Sequence, residues 1–481
     1  MILRKTYKLF IIGLLLINAG CEEPLDEQTY SVFGPSNFYQ TAEDAEALLN
    51  SVYANAGAYR DVARDNLTLG DMTTDLMIES GGAINAQIQP IQDFSFPTTH
   101  PYLLSLWGRF YSAIYRANAV IDRVPAIDMD ETRRAQIVAE ARFLRAFSYF
   151  KLYDLFGPVP LITTSATNAA DRPNRASQEE FVSFITAELE DAGAILSATT
   201  ADYGRATKGA TFGLLSKFQL NNKNWQAAAD NAKKVMDLGV YNLFTEGNRA
   251  DLFALNNQQD DEFIFVLPFP TMPTSGLGNT YLSHAAPPGY QFKFPNKANF
   301  AAQFKMLSDF VNTFEEGDER RDAFLFQYTN GAGNEITLGQ DNVRSFKYPE
   351  DPNGLGDVSG NDYPILRYAD ILLTRAEALN EVQGPNQESI DLINQVRNAA
   401  GIEDLPAADT SSKEALRTAI LRERGWEFHT EGLRRQDLIR QGKFIQFAKD
   451  RGLPAQDYQV LYPIPQSEID KNANLEQNPG Y

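Results

Sequence analysis

The stretch AEARFLRAFSYFKLYDLFGPVPLI, residues 139–162, most constrains what this chain can fold into. No helix breaker interrupts it before Gly157, and Phe143, Phe147 and Phe150 recur at spacings of four and three, which stacks them on one helical face. Leu144, Ala146, Tyr149, Leu152, Tyr153 and Leu155 extend the apolar surface most of the way round. A helix that is apolar all round is a buried one. Gly157 stops it, and Pro158 and Pro160 send the chain away extended, because proline lacks a donor and disfavours helix in the residue before it. The expectation is a central scaffold helix whose charged members, Arg142, Arg145 and Asp154, tie neighbouring segments together.

Residues 1–20, MILRKTYKLFIIGLLLINAG, have a basic start, a short apolar run from Leu9 to Ile17, and small Ala19 and Gly20 before Cys21. This is the pattern of a secretory signal, with an apolar run too short for an ordinary transmembrane helix. Its ending resembles the bacterial lipoprotein box, although Asn18 stands where the box favours leucine; that resemblance implies an acylated Cys21 at the mature amino terminus. The acidic Glu22, Glu23 and Asp26 resemble a surface-export signal of some Gram-negative bacteria, implying the outer face of the outer membrane. With one cysteine in the chain, a disulfide framework and a structural cysteine zinc site are excluded. The formal net charge of −20 argues against nucleic acid as a partner, since an anionic surface repels phosphate.

Residues 21–38 read as a tether punctuated by Pro24, Gly34 and Pro35, and 39–481 as a single body. Helices are expected at 42–59, 103–124, 130–156 and 178–196, the last opened by a capping box of Ser177 and Glu180. Residues 206–238 and 365–400 each read as a pair of short helices joined by a turn, similar to tetratricopeptide hairpins. Further helices are expected at 307–316, 413–430 and 433–447, a strand at 262–269, and an extended finish through 462–481. Residues 61–101 and 241–305 show little helical period and are rich in Pro, Gly and aromatics, so both read as irregular. The fold class is mainly α: helix hairpins in an α-α superhelix, with long irregular loops and minor β.

Taken together, several stretches resemble the SusD/RagB family of outer-membrane nutrient-binding lipoproteins. They are NFYQTAEDAEALLNSVYA, LWGRFYSAIYRANAVIDRVP, the central stretch above, GRATKGATFGLLSKFQL, FEEGDERR, YPILRYADILLTRAEALNEV with INQVRNAAG, LRERGWEFHTEGLRRQDLIR and YPIPQSEIDKNANLEQNPGY, in the family's order. The resemblance implies a tetratricopeptide-like scaffold. It also implies a surface protein that captures oligosaccharide and delivers it to a SusC-like TonB-dependent transporter without acting as an enzyme. A peptide-binding, RagB-like member is the alternative, and a surface glycoside hydrolase a more distant one.

Trp107, Trp225 and Trp426 lie in helical stretches and read as core. Ligand-contacting candidates come instead from the irregular segments: Phe94 and Phe96 with Asn85 and Gln87 in the first, Tyr281, Tyr290 and Phe292 with Asn279 in the second. An aromatic face meets the C–H face of a sugar, and amides both donate to and accept from hydroxyls. Substituting Tyr281 and Tyr290 together is therefore expected to weaken ligand binding with little loss of stability. Asp71 with Asp75, and Glu315 with Asp318, have the composition of a hydrolase carboxylate pair, but among 63 acidic residues such pairs arise by chance. Glu423, Glu427 and Glu431, beside Arg422, Arg424, Arg434 and Arg435, read as a salt-bridged structural joint. No cofactor is expected; DPNGLGDVSGND (351–362) has oxygen-rich side chains compatible with a structural calcium ion but lacks the ligand order of a calcium-binding loop.

Overall fold

The computed structural model describes residues 39–481 apart from 58, 59, 167, 169, 170, 271, 273–276, 296, 301 and 302. Cys21, the signal segment and the tether lie outside the described residues.

In chain order the elements are α1 (Ala42–Ala56), α2 (Arg60–Asp71), β1 (Met77–Glu79), α3 (Asn85–Gln92), α4 (Pro101–Arg123), α5 (Glu131–Phe156), α6 (Gln178–Ile195), α7 (Lys208–Asn221) and α8 (Trp225–Met236). Next come β2 (Phe263–Leu267), α9 (Tyr281–Ala285), β3 (Phe304–Met306), α10 (Ser308–Val311), β4 (Phe324–Leu325), β5 (Gln327–Thr329), β6 (Glu335–Thr337), β7 (Arg344–Ser345) and β8 (Tyr363–Arg367). The chain closes with α11 (Tyr368–Gln383), α12 (Gln387–Ala399), α13 (Lys413–Phe428), α14 (Arg434–Arg440), α15 (Phe444–Asp450) and α16 (Gln466–Lys471). Short 3-10 turns join several of them.

The central helix forms as its sequence dictates. Asp130 caps it by accepting from the Arg133 amide at 2.7 Å, and Gly157 at φ 72° ends it. Its aromatics reach several neighbours: Phe143 meets Phe265 of β2 edge-on at 5.0 Å, Tyr149 and Tyr153 meet Phe181 of α6, and Phe150 meets Phe218 of α7. Arg142 and Arg145 both bind Glu188 of α6, and Asp154 pairs with Arg435 of α14, so the expected cross-ties are present.

Both hairpins are found, α7 with α8 and α11 with α12. Lys223 at φ 60° makes the first turn and Gly384 at φ 79° the second. Ala228 and Ala229 of α8 are fully buried against Ala378 and Leu379 of α11, the close approach that small side chains permit. Leu372, Leu373 and Ala376 of α11 meet Leu392, Ile393 and Val396 of α12 and Leu416 and Ile420 of α13, extending the stack. Capping boxes open α1 (Thr41 with Asp44) and α6 (Ser177 with Glu180).

Strands among the described residues form four two-stranded antiparallel sheets: β1–β3, β2–β8, β4–β7 and β5–β6. The strand expected at 262–269 is β2. Its partner β8 occupies residues that helical spacing had assigned to the start of the second hairpin, so the α11 helix begins only at Tyr368. The segment 61–101 is not a loop but holds α2, β1 and α3. The helix expected at 307–316 shrinks to Ser308–Val311, and the last stretch contains α16. The helix expected at 433–447 is broken by Gly442 at φ 68° into α14 and α15. These departures are short elements fixed by what they pack on, where periodicity over so few residues carries little weight.

One face of α13, continued by Glu431 in the turn after it, is ionic and buried. Glu427 binds Arg249, Arg367 and Arg320; Glu423 binds Arg320 and Arg397; Glu431 binds Lys347 and Arg367. Arg249 and Arg367 share Glu262, beside β2. The acidic run does form a buried ionic joint, but with other cations than the neighbouring arginines: Arg249, Arg320, Lys347, Arg367 and Arg397 come from distant segments, while Arg422 binds Asp409 and Arg435 binds Asp154. Arg424 instead binds Asp370 and Asp437, and Arg434 binds Asp75.

Candidate functional site

The two segments that carry the ligand candidates meet through β1 and β3, with Met77 opposite Met306 and Glu79 opposite Phe304. Just beyond the pair, the Ser80 amide donates to Gln303 O at 3.0 Å, and the Gln303 side-chain amide returns a bond to Gly81 O at 3.2 Å. Asn85, half-buried at the start of α3, accepts from the Gly81 amide at 3.2 Å and donates to Gln89 at 3.1 Å. Gln87 offers its backbone carbonyl to His100 Nε2 at 2.7 Å, while its side-chain oxygen is buried without a partner.

The first segment's aromatics are not at a surface. Phe94 is 4% exposed and lies against Phe96 and Phe444; Phe96 lies edge-on to Tyr462 at 5.0 Å and close to Tyr481. These rings pin the carboxyl-terminal segment, a structural role that leaves no open face for ligand. Tyr281, 5% exposed, is likewise internal, packed between Phe304 and Tyr348. Asn279 is buried, exchanges backbone bonds with Ser359, and accepts from the Tyr281 amide at 2.9 Å, so it holds the loop.

Tyr290 and Phe292 are different. Both are half-buried, their centroids 5.2 Å apart, and two further half-buried rings complete the group: Tyr328 of β5 at 6.0 Å from Tyr290, and Phe346 at 5.2 Å. The Tyr290 hydroxyl donates to Glu350 at 2.9 Å, and the Tyr328 hydroxyl donates to Pro288 O at 2.7 Å, so both phenols are held in orientation. Burial and then the Glu350 carboxylate push the Tyr290 phenol up, keeping it a hydrogen-bond donor. Around the rings stand polar groups of the kind that bind hydroxyls: exposed Gln291, Lys293 and Asn334, and half-buried Asn330 and Glu350. Fixed, partly open aromatic rings beside amides and a carboxylate make a surface suited to a neutral polyol. Tyr328, Phe346 and Glu350 went unrecognised in the sequence, although TNGAGN (329–334) carries the Asn and Gly of the turn that joins β5 to β6.

No group of three or more His, Cys, Asp or Glu side chains among the described residues is placed to hold a metal ion. In 351–362 the Asp351 carboxylate accepts from the Asn353 and Gly360 amides, both at 2.7 Å, so its oxygens organise the turn. The carboxylates weighed as a hydrolase pair are engaged elsewhere. Asp71 accepts from the Gly432 and Arg434 amides, Asp75 binds Arg434, Glu315 binds Arg397, and Asp318 binds Arg320.

Residues 339–481 match the SusD family, and residues 25–220 match the family described as starch-binding and associating with the outer membrane. SusD-like protein P2 of Formosa agariphila is 26% identical over 512 residues, covering 99% of this chain and 100% of that protein. The starch-binding protein SusD of Bacteroides thetaiotaomicron is 27% identical, covering 76% of each. A solved laminarin-binding SusD-like protein superposes with a TM-score of 0.80 at 25% identity, over 92% of this chain and 100% of that one. A SusD homologue from Bacteroides thetaiotaomicron gives 0.78 at 26% identity, over 92% of this chain and 98% of that one. A fold shared over nearly the whole chain, together with both sequence matches, shows that this chain belongs to the SusD family.

Proposed function

We propose that this protein binds an oligosaccharide at the cell surface and hands it to a SusC-like TonB-dependent transporter, without chemically altering it. The observation that carries the reading is the half-open group of Tyr290, Phe292, Tyr328 and Phe346, with Glu350 and Asn330 at its edge. Relatives named for starch and laminarin binding support a glycan as the ligand class. In this reading residues 1–20 are removed, Cys21 is acylated, 21–38 tether the body 39–481 to the outer membrane, and the body faces outward.

Titrating the purified body with laminari- and malto-oligosaccharides by calorimetry tests the ligand class. Saturable binding to either series that weakens at least tenfold in the Tyr290→Ala, Phe292→Ala double variant is expected; peptide pools that bind while every glycan fails would favour the peptide-binding alternative. Release of new reducing ends on incubation would reverse the non-enzymatic reading. Anchoring is tested separately: Cys21→Ser should leave the protein in the soluble fraction, and a membrane-bound variant would end that claim.

A further inference from the structure

Glu79 is the last residue of β1, at the seam that joins the two ligand-candidate segments. Its side chain is 3% exposed, and neither carboxyl oxygen has a hydrogen-bond partner. The backbone around it is satisfied, since its amide donates to Gln92 Oε1 at 2.7 Å. No charged group on the packed elements hydrogen-bonds the carboxyl. Lys305 of β3 pairs in register with Ile78 and reaches the Glu79 carboxyl only through its charge, with no hydrogen bond to either oxygen. Arg344 of β7 gives its guanidinium to Phe304 O at 2.9 Å and Asn342 Oδ1 at 2.7 Å. His284 of α9 stacks on Phe304 at 4.9 Å with Nδ1 on Gln303, and α3 brings no titratable side chain.

An ionised carboxylate in that position is a buried charge without a partner, which is strongly unfavourable. Burial raises the Glu79 carboxyl to about 7, with Lys305 acting in the opposite sense. The loop that follows depends on the same seam. Ser80 and Gly81 are bonded to Gln303, and a Cβ added to Gly82 would lie 1.9 Å from Gln303 Nε2, so the loop is pressed against that side chain.

We propose that Glu79 is a proton-dependent latch. With the carboxyl neutral, the β1–β3 seam stays closed and holds Ser80 to Asn85 against Gln303; release of the proton to solvent leaves an unpaired charge in the seam and loosens that loop, which carries Asn85. The folded carboxyl titrates above its ordinary value of about 4.3, so destabilisation grows as pH rises from about 4.3 to about 7 and is complete above that.

Hydrogen exchange of the intact protein, followed by mass spectrometry on peptides spanning 80–85 and corrected for intrinsic exchange, tests this without any saccharide. Its outcome is therefore separate from that of the glycan reading. Protection of these amides should fall roughly tenfold or more between about pH 5.5 and about pH 8, while peptides from 139–156 keep theirs. Glu79→Gln, which keeps the shape and removes the charge, should flatten the profile at 80–85. Unchanged protection in the wild type, an equal fall across the molecule, or a fall that persists in E79Q overturns the latch. Should E79Q not fold, the wild-type profile with its internal control still decides.

Discussion

Gly70 and Gly432 meet backbone to backbone: a Cβ built on Gly70 would stand 2.2 Å from Gly432 O. Gly432 itself sits at φ 75°, where its own Cβ would lie 2.9 Å from Asn66 O. The next residue, Asp71, clasps the same turn by accepting from the Gly432 amide at 3.0 Å and the Arg434 amide at 3.3 Å. The end of α2 is thus bound directly to the link between α13 and α14. Gly70→Ala should lower stability by about 3 kcal/mol, because the obstacle is backbone rather than a flexible side chain. Gly108, inside α4 with nothing within 4 Å of its Cβ, is the control: Gly108→Ala should be neutral or stabilising by up to about 1 kcal/mol. Urea unfolding, comparing midpoints at unchanged slope, checks both.

Glu427 is the hub of the buried ionic face. Burial opposes its ionisation, but Arg249, Arg367 and Arg320 outweigh burial and hold the carboxyl well below the usual carboxylate range. Glu427→Gln leaves those guanidinium groups short of a charge partner and should cost about 3–5 kcal/mol near neutral pH. Because the folded value is depressed, this contribution is present above the unfolded value of about 4.3 and is lost as pH falls below it. The stability gap between wild type and E427Q should therefore narrow on acidification in a pH series of denaturant melts. A constant gap would mean that the charge is not what Glu427 contributes.

Tyr281 and Tyr290, paired as ligand candidates in the sequence, should separate in experiment. Tyr281 is packed between Phe304 and Tyr348, so Tyr281→Ala should destabilise by about 3–5 kcal/mol, contrary to the expectation of a stability-neutral substitution. Tyr290→Phe removes only the hydrogen bond to Glu350 and should cost about 0.5–1.5 kcal/mol. Thermal melts of the two variants side by side distinguish a core ring from a surface ring.

The same pair shows how far residues alone can be read. Tyr281 and Tyr290 stand in one Pro- and Gly-rich segment with no periodicity to say which faces inward. Long amphipathic or wholly apolar helices announce their burial through spacing, as Phe143 and Phe147 do, whereas an irregular segment buries whatever its distant neighbours cover. Phe94 is internal because Phe444, far along the chain, lies on it. Tyr328 joins Tyr290 only once the β5–β6 hairpin folds back over residues 288–290.

By itself, then, the sequence determined the central helix and its stop at Gly157, the capping box of Ser177, the two hairpins and the acidic run from Glu423 to Glu431. Each of these is written in residues within a few turns of one another. Only tertiary structure decided that β8 opens the second hairpin, that Arg249, Arg320 and Arg367 converge on Glu427, and that Tyr290 rather than Phe94 keeps an open face. Strand pairing, ion pairing and burial of an isolated ring are set by partners tens to hundreds of residues away, and local spacing carries no record of them.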